Sequence, residues 1–181
     1  MLEKYRARRR VGPAPQPRLG TSLLVVPGAR ARRRVGPPPL PSRALLVVSP
    51  TSAAPSSEAV ARAVEAAAGD PVTVLTVLRI HGSALGVPHP GLLPTARERE
   101  SGRIAIAAAI AALEARKVRA RGEIAVTRAD ARVIARTARS VGAATVVLDL
   151  PETSGIRRLI EGDLAAQLRR RLRGEAEIVV R

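Results

Sequence analysis

The chain lacks cysteine, tryptophan and phenylalanine, and Tyr5 is its one aromatic side chain. Without cysteine it can form neither disulfides nor thiolate metal sites, which fits a reducing compartment, and we expect a cytoplasmic protein. Its core must consist of valine, isoleucine, leucine and alanine, which can still be close-packed. Hydrophobic residues make up 46% of the 181 residues, enough for the core of one domain.

Acidic residues are also scarce. The chain has 31 lysines and arginines and 15 aspartates and glutamates, which gives a net charge of +16. Residues 1–43 hold 11 of these basic residues and a single acid, Glu3. Such a segment is either a solvated tail with no partner or a contact for an anionic neighbour, for which a membrane surface is preferred. Nucleic acid is disfavoured, because the domain has no aromatic side chain on which a base could stack. No apolar run reaches the roughly 18 residues that span a bilayer, and no signal peptide is recognisable.

The N-terminal segment is partly duplicated. RARRRVGPAPQP at residues 6–17 returns as RARRRVGPPPLP at residues 30–41, and each copy is followed shortly by LLVV. Their prolines prevent a regular helix or a central strand. We therefore predict a disordered, basic, proline-rich tail or linker over residues 1–42, and one folded domain over residues 43–181.

Strand and helix patterns alternate along this domain. Short apolar runs predict strands at residues 44–48, 72–78, 118–126, 145–150 and 176–180. The third of these has a looser alternation, which predicts a more exposed strand. Predicted helices run from Ser56 or Ser57 to about residue 68, from a capping box of Thr95 and Glu98 to about 117, and over 129–141 and 162–173.

This alternation predicts an α/β fold, a doubly wound five-stranded parallel sheet with helices on both faces. Ligands of such sheets bind beyond the carboxyl ends of the strands, where the strand order reverses. Ser49 and Thr51 follow the first predicted strand, and residues 149–155 end and follow the fourth. We expect a candidate binding site at this edge.

The last third of the chain carries several motifs in series. An apolar strand at 146–148 is followed by Gly155, an Arg-Arg-Leu turn at 157–159, Gly162 and a closing strand at 178–180. This series resembles the C-terminal third of universal stress proteins, and the resemblance extends in order over residues 44–181. It implies the strand order 3-2-1-4-5 and a homodimer through the last strand, with its interface at Ile178, Val179 and Val180.

ATP-binding members of that family carry Gly, two residues, Gly, nine residues, and Gly followed by Ser or Thr. Aligned with this motif, Asp149 and Glu152 replace the first two glycines, Gly162 matches the third, and Asp163 replaces the hydroxyl residue. Ser49 stands where the first strand of ATP binders ends in aspartate. Each carboxylate about 4 Å from a phosphate charge would cost roughly 1 to 4 kcal/mol, which Arg157 and Arg158 could offset in part. The resemblance implies a degenerate nucleotide site with no ATP cofactor in the usual mode, formed by Ser49, Thr51, Asp149, Glu152, Gly155, Gly162 and Asp163.

No catalytic set of residues is recognisable. His81 and His89 share one loop, but no acid precedes Glu98 there, so we expect no metal site. No histidine is placed as a base for Ser49 or for another loop serine. We therefore expect a protein that is not an enzyme.

Three functions fit these observations. The leading one is a non-enzymatic regulatory or interaction module of the universal stress type that does not bind ATP in the usual mode. A second is the cytoplasmic C-terminal regulatory domain of a membrane transporter, encoded separately or truncated, since residues 2–12 are typical of a basic segment that follows a membrane helix. A third is a nucleotide-binding stress sensor.

Overall fold

The computed structural model describes residues 22–25, 41–80, 93–150 and 163–181. Six strands and four helices lie in these ranges. The strands are β1 (Ser22–Val25), β2 (Ala44–Val48), β3 (Val72–Arg79), β4 (Ala120–Thr127), β5 (Thr145–Asp149) and β6 (Glu177–Val180). The helices are α1 (Ser57–Ala67), α2 (Ala96–Glu114), α3 (Asp130–Val141) and α4 (Leu164–Leu172).

The strands form one parallel sheet in the order β1-β4-β3-β2-β5-β6. The five strands that follow β1 have the predicted order 3-2-1-4-5, which is therefore confirmed. From β2 the chain moves first to β3 on one side and later to β5 on the other. The strand order thus reverses between β2 and β5, where a crevice for a ligand is expected at the carboxyl ends.

Helices cover both faces of the sheet. Ala44, Leu46 and Val48 of β2 pack in one cluster with buried residues of α1 and α2. Leu45 and Val47 pack in a second cluster with buried residues of α3 and α4. Because successive side chains of a strand point to opposite faces, burial of all five residues requires cover on both sides. The doubly wound prediction is confirmed.

The predicted helix starts are also present. The Ser56 Oγ accepts a hydrogen bond of 3.1 Å from the Ala59 N–H and caps α1. At the start of α2, the Thr95 Oγ1 accepts from the Glu98 N–H while the Glu98 carboxylate accepts from the Thr95 N–H, forming the predicted capping box. Helix α2 ends at Glu114, short of the predicted residue 117.

The prediction that β4 is more exposed than the other strands is wrong. Residues 122–127 are all buried. Helix α2 lies so close to β4 that a Cβ atom on Gly122 would come within 2.2 Å of the Ile106 Cγ2. Glu123 is only 2% exposed, and its carboxylate forms an ion pair of 3.4 Å with Arg121. The polar residue Glu123 therefore interrupts the apolar pattern of β4 without making this strand exposed.

Strand β1 adds to the five predicted strands. It belongs to the first LLVV copy and pairs with β4, with Ser22 opposite Glu123 and Val25 opposite Val126. The rest of the predicted tail before residue 41 lies outside the described residues. Among the helices that the structure describes, none combines the length and the apolar character needed to cross a membrane.

Candidate functional site

The carboxyl ends of β2 and β5 meet at the point where the strand order reverses. Val48 lies opposite Asp149 in the register, and the Ser49 N–H donates to the Asp149 backbone oxygen at 3.2 Å. On the other side of β2, the Thr76 Oγ1 donates to the Val48 carbonyl at 2.8 Å and fixes the end of the strand. The structure therefore brings Ser49 and Asp149, two of the predicted site residues, into contact.

The Ser49 hydroxyl is engaged inside its own turn. Ser49 is 4% exposed, its Oγ lies 2.8 Å from the Thr51 Oγ1, and it accepts a hydrogen bond of 3.2 Å from the Thr51 N–H. Serine often closes a turn in this way. Ser49 and Thr51, both predicted site residues, thus lie together, but they bond to each other and supply no negative charge to a ligand.

The Asp149 side chain reaches the start of α1. Its Oδ2 accepts a hydrogen bond of 2.9 Å from the backbone N–H of Ser56, which lies 93 residues away in the sequence. The N-terminus of a helix attracts anions, because its first N–H groups lack partners within the helix and its dipole is positive there. At this helix start, the chain's own carboxylate accepts from one of these N–H groups.

A second carboxylate lies in the first turn of the same helix. Glu58 forms an ion pair of 3.0 Å with the Arg181 guanidinium. A second guanidinium lies close by, since the Arg116 Nη1 donates to the Ser57 carbonyl at 3.5 Å. Two acids and two arginines therefore surround the start of α1 while Ser56 caps it, so protein groups satisfy this helix end and their charges balance.

The other predicted site residues are placed as follows. Asp163 is the N-cap of α4, where its Oδ1 accepts from the Ala165 N–H at 2.9 Å, a structural role. The dimer residues Ile178 and Val179 are partly buried on β6, and Val180 is 52% exposed. Three predicted site residues lie outside the described residues, as do both histidines: Glu152, Gly155, Gly162, His81 and His89. In the described ranges, no group of three acids or histidines could hold a metal ion.

Sequence reasoning missed the partner of Asp149. It considered this acid only together with Glu152, Arg157 and Arg158, which follow it closely in the sequence and lie outside the described residues. The observed partner is the backbone N–H of Ser56, which the sequence identified only as a helix cap. No local signal indicates a contact between segments so far apart, although the parallel order places the end of β5 beside the end of β2.

Comparisons with known proteins agree with this geometry. The family model described as the universal stress protein family matches residues 42–173. A universal stress protein structure from Burkholderia pseudomallei is similar at 21% identity and a TM-score of 0.53, covering 77% of this chain and 96% of that one. A structure from Archaeoglobus fulgidus in complex with dAMP is similar at 18% identity and a TM-score of 0.53, covering 78% of this chain and 96% of that one.

A further Archaeoglobus fulgidus universal stress protein structure has 16% identity and a TM-score of 0.55, and the similarity covers 78% of this chain and 93% of that one. A comparison with curated proteins finds no match. The structural likenesses show the shared fold, and the family model spans most of the described sheet, from just before β2 to just after α4. The chain belongs to the universal stress protein family.

Proposed function

We propose that this chain is a non-enzymatic regulatory or interaction module of the universal stress type, whose nucleotide site its own carboxylate closes to ATP. One observation carries the proposal, the hydrogen bond between the Asp149 carboxylate and the Ser56 N–H at the start of α1. In ATP-binding members of the family, the position of Asp149 is a glycine. Here the side chain that replaces it fills the anion-binding end of the helix.

Electrostatics supports the proposal. A triphosphate at the ends of β2 and β5 would meet the Asp149 carboxylate, whereas the nearby Glu58 carboxylate is already paired with Arg181. Each pair of like unit charges at about 4 Å costs roughly 1 to 4 kcal/mol, depending on solvent screening. A phosphate would also compete with Asp149 for the Ser56 N–H. Both effects weaken the binding of ATP and have little effect on the binding of a ligand with little negative charge.

A nucleotide sensor is the second candidate function. The similar Archaeoglobus fulgidus structure is in complex with dAMP, a nucleotide that carries a single phosphate. A monophosphate would meet less repulsion from Asp149 than a triphosphate does, since it brings less charge to the helix start. The two candidates therefore differ in whether AMP or a related monophosphate binds.

Thermal unfolding of the full-length chain with millimolar Mg-ATP, AMP or cyclic AMP tests the proposal. A ligand present at 100 times its dissociation constant would stabilise the native state by roughly 2.7 kcal/mol, a shift of several degrees. We expect no shift with Mg-ATP, because the carboxylate excludes it. A shift with AMP or cyclic AMP alone would favour the sensor, and a shift with Mg-ATP would contradict the closed site.

We also propose that the module forms a homodimer through β6. Within the described residues, β6 pairs with β5 on one side only, so it is an edge of the sheet. An edge strand leaves backbone N–H and C=O groups that a second copy can satisfy. The half-exposed side chain of Val180 supplies apolar surface beside this edge.

A further inference from the structure

Six arginines line a cleft of about 420 Å³ between α3 and α4, on the face of the sheet opposite α1 and α2. We call this the arginine cleft. The buried Ala135 also lines it. Its arginines are Arg132, Arg136 and Arg139 of α3, and Arg170, Arg171 and Arg173 at the end of α4.

One of the six is neutralised by a carboxylate at the rim. The Arg139 Nε donates to the Glu175 Oε2 at 2.6 Å, and its Nη2 donates to the Glu175 Oε1 at 3.3 Å. This fork holds the pKa of Glu175 below its ordinary value. Within the residues that the structure describes, the other five guanidinium groups form no ion pair. The cleft therefore carries an excess of about five positive charges.

The helix dipole explains only part of this cluster. Arg170 and Arg171 lie in the last turn of α4, where a cation is favourable. Arg132 lies in the first turn of α3, where the same dipole disfavours a cation. Arg132 and Arg136 are also one turn apart on one helix face, so their like charges repel each other. The fold thus holds these arginines together at a cost that a bound anion would offset.

We propose that the arginine cleft binds a small molecule with two or more neighbouring phosphate groups. A terminal phosphate of such a chain carries about 1.5 to 2 negative charges at pH 7 and an inner one about one, so a chain of three phosphates carries about four to five and matches five arginines. The guanidinium fork fits phosphate oxygens in pairs. The α3 arginines span about 10 Å of helix, the extent of a short phosphate chain. This site is separate from the ends of β2 and β5.

Other polyanions fit the cleft less well. An acidic peptide brings only one charge per residue, so five carboxylates would not crowd into a cleft of this volume. A nucleic-acid single strand binds strongly where aromatic side chains stack with its bases, and the sequence has Tyr5 as its one aromatic residue. A membrane fits less well because its surface is flat, whereas the arginine cleft is concave.

Isothermal titration of the full-length chain with inorganic tripolyphosphate at about 0.15 M salt tests the proposal, since that salt screens diffuse attraction. The Arg132→Gln/Arg136→Gln variant is expected to bind about tenfold more weakly, because two charge-assisted contacts are lost. Arg97→Gln/Arg99→Gln is the charge-matched control: it removes two exposed arginines from α2, and its affinity is expected to stay unchanged. Arg132→Lys/Arg136→Lys keeps the charge but lacks the fork, and an intermediate affinity is expected.

Tripolyphosphate is also expected to raise the unfolding midpoint of the wild type more than that of the Arg132→Gln/Arg136→Gln variant, because the tenfold weaker binding removes about 1.4 kcal/mol of the stabilisation. The midpoints measured without ligand show whether each variant is folded. The proposal is overturned if tripolyphosphate does not bind. It is also overturned if both glutamine variants lose affinity equally, because tripolyphosphate would then be bound through the net charge of the chain or through the basic tail. It is also overturned if duplex DNA or anionic vesicles bind through the α3 arginines and tripolyphosphate does not.

Discussion

The Gly122→Val variant is expected to lose about 3 kcal/mol of stability, the upper part of the range for overpacked cores. A Cβ atom at this position would lie 2.2 Å from the Ile106 Cγ2 and 3.3 Å from the Ile110 Cδ1. Ile106 is 1% exposed and Ile110 is 6% exposed, so neither side chain can move towards solvent. Because β4 is paired along its length with β3, helix α2 must move outward instead.

Thermal and urea unfolding of the full-length variant measure this loss, which corresponds to a midpoint lower by about 10 °C. The control is the same substitution in an Ile106→Ala background. There the Cγ2 atom is absent, so Gly122→Val is expected to cost at least about 1 kcal/mol less. Equal costs in both backgrounds would show that the contact between α2 and β4 is not the cause.

The Val180→Pro variant is expected to be a monomer, while the wild-type chain is a dimer. The Glu177 N–H at the start of β6 donates to the Ala144 carbonyl, and the Arg181 N–H just after β6 donates to the Leu148 carbonyl, both towards β5. By alternation, the N–H groups of Ile178 and Val180 point away from β5, towards the open edge. Proline removes one of these donors and its ring obstructs strand pairing.

Sedimentation velocity on the full-length proteins measures the masses. Val180→Thr is the matched control, because threonine keeps both the N–H and the branched β-carbon. The wild type and Val180→Thr are expected to sediment as dimers, and Val180→Pro at half their mass. A monomeric wild type, or a dimeric Val180→Pro variant, would exclude the β6 interface.

The sheet was predictable because its strands are short apolar runs buried on both faces. Residues 44–48 are all apolar, and residues 146–148 are apolar between Thr145 and Asp149, which fits parallel strands covered by two helix layers. Helix starts were predictable from local chemistry, as at Ser56 and Thr95. The strand order 3-2-1-4-5 came from the family resemblance rather than from the runs themselves.

What the sequence could not predict depends on distant contacts. The first LLVV copy resembles the second, but only the free edge of β4 makes its residues 22–25 a strand. The looser alternation of β4 predicted an exposed strand, yet its Glu123 is buried beside Arg121. The arginine cleft could not be predicted either, because nothing in the sequence places the arginines of α3 beside those of α4.

The candidate site was predictable in position and not in chemistry. The alternation of strands and helices placed Ser49 and Asp149 at one edge, as the register confirms. It could not show that the Ser49 hydroxyl bonds to Thr51 or that the Asp149 carboxylate bonds to α1. The proposal of a closed site rests on the second of these bonds.

Titration of Mg-ATP into the wild type and the Asp149→Asn variant, both full-length, tests whether this carboxylate closes the site. Asparagine keeps an oxygen that can accept from the Ser56 N–H, and it removes the charge. Asp70→Asn is the control, because Asp70 is an exposed acid beyond the opposite end of α1. We expect Asp149→Asn to bind Mg-ATP at least about tenfold more tightly than the wild type and Asp70→Asn do, since one repelling pair is worth about 1.4 kcal/mol or more. Equal affinities for all three proteins would contradict the closed site.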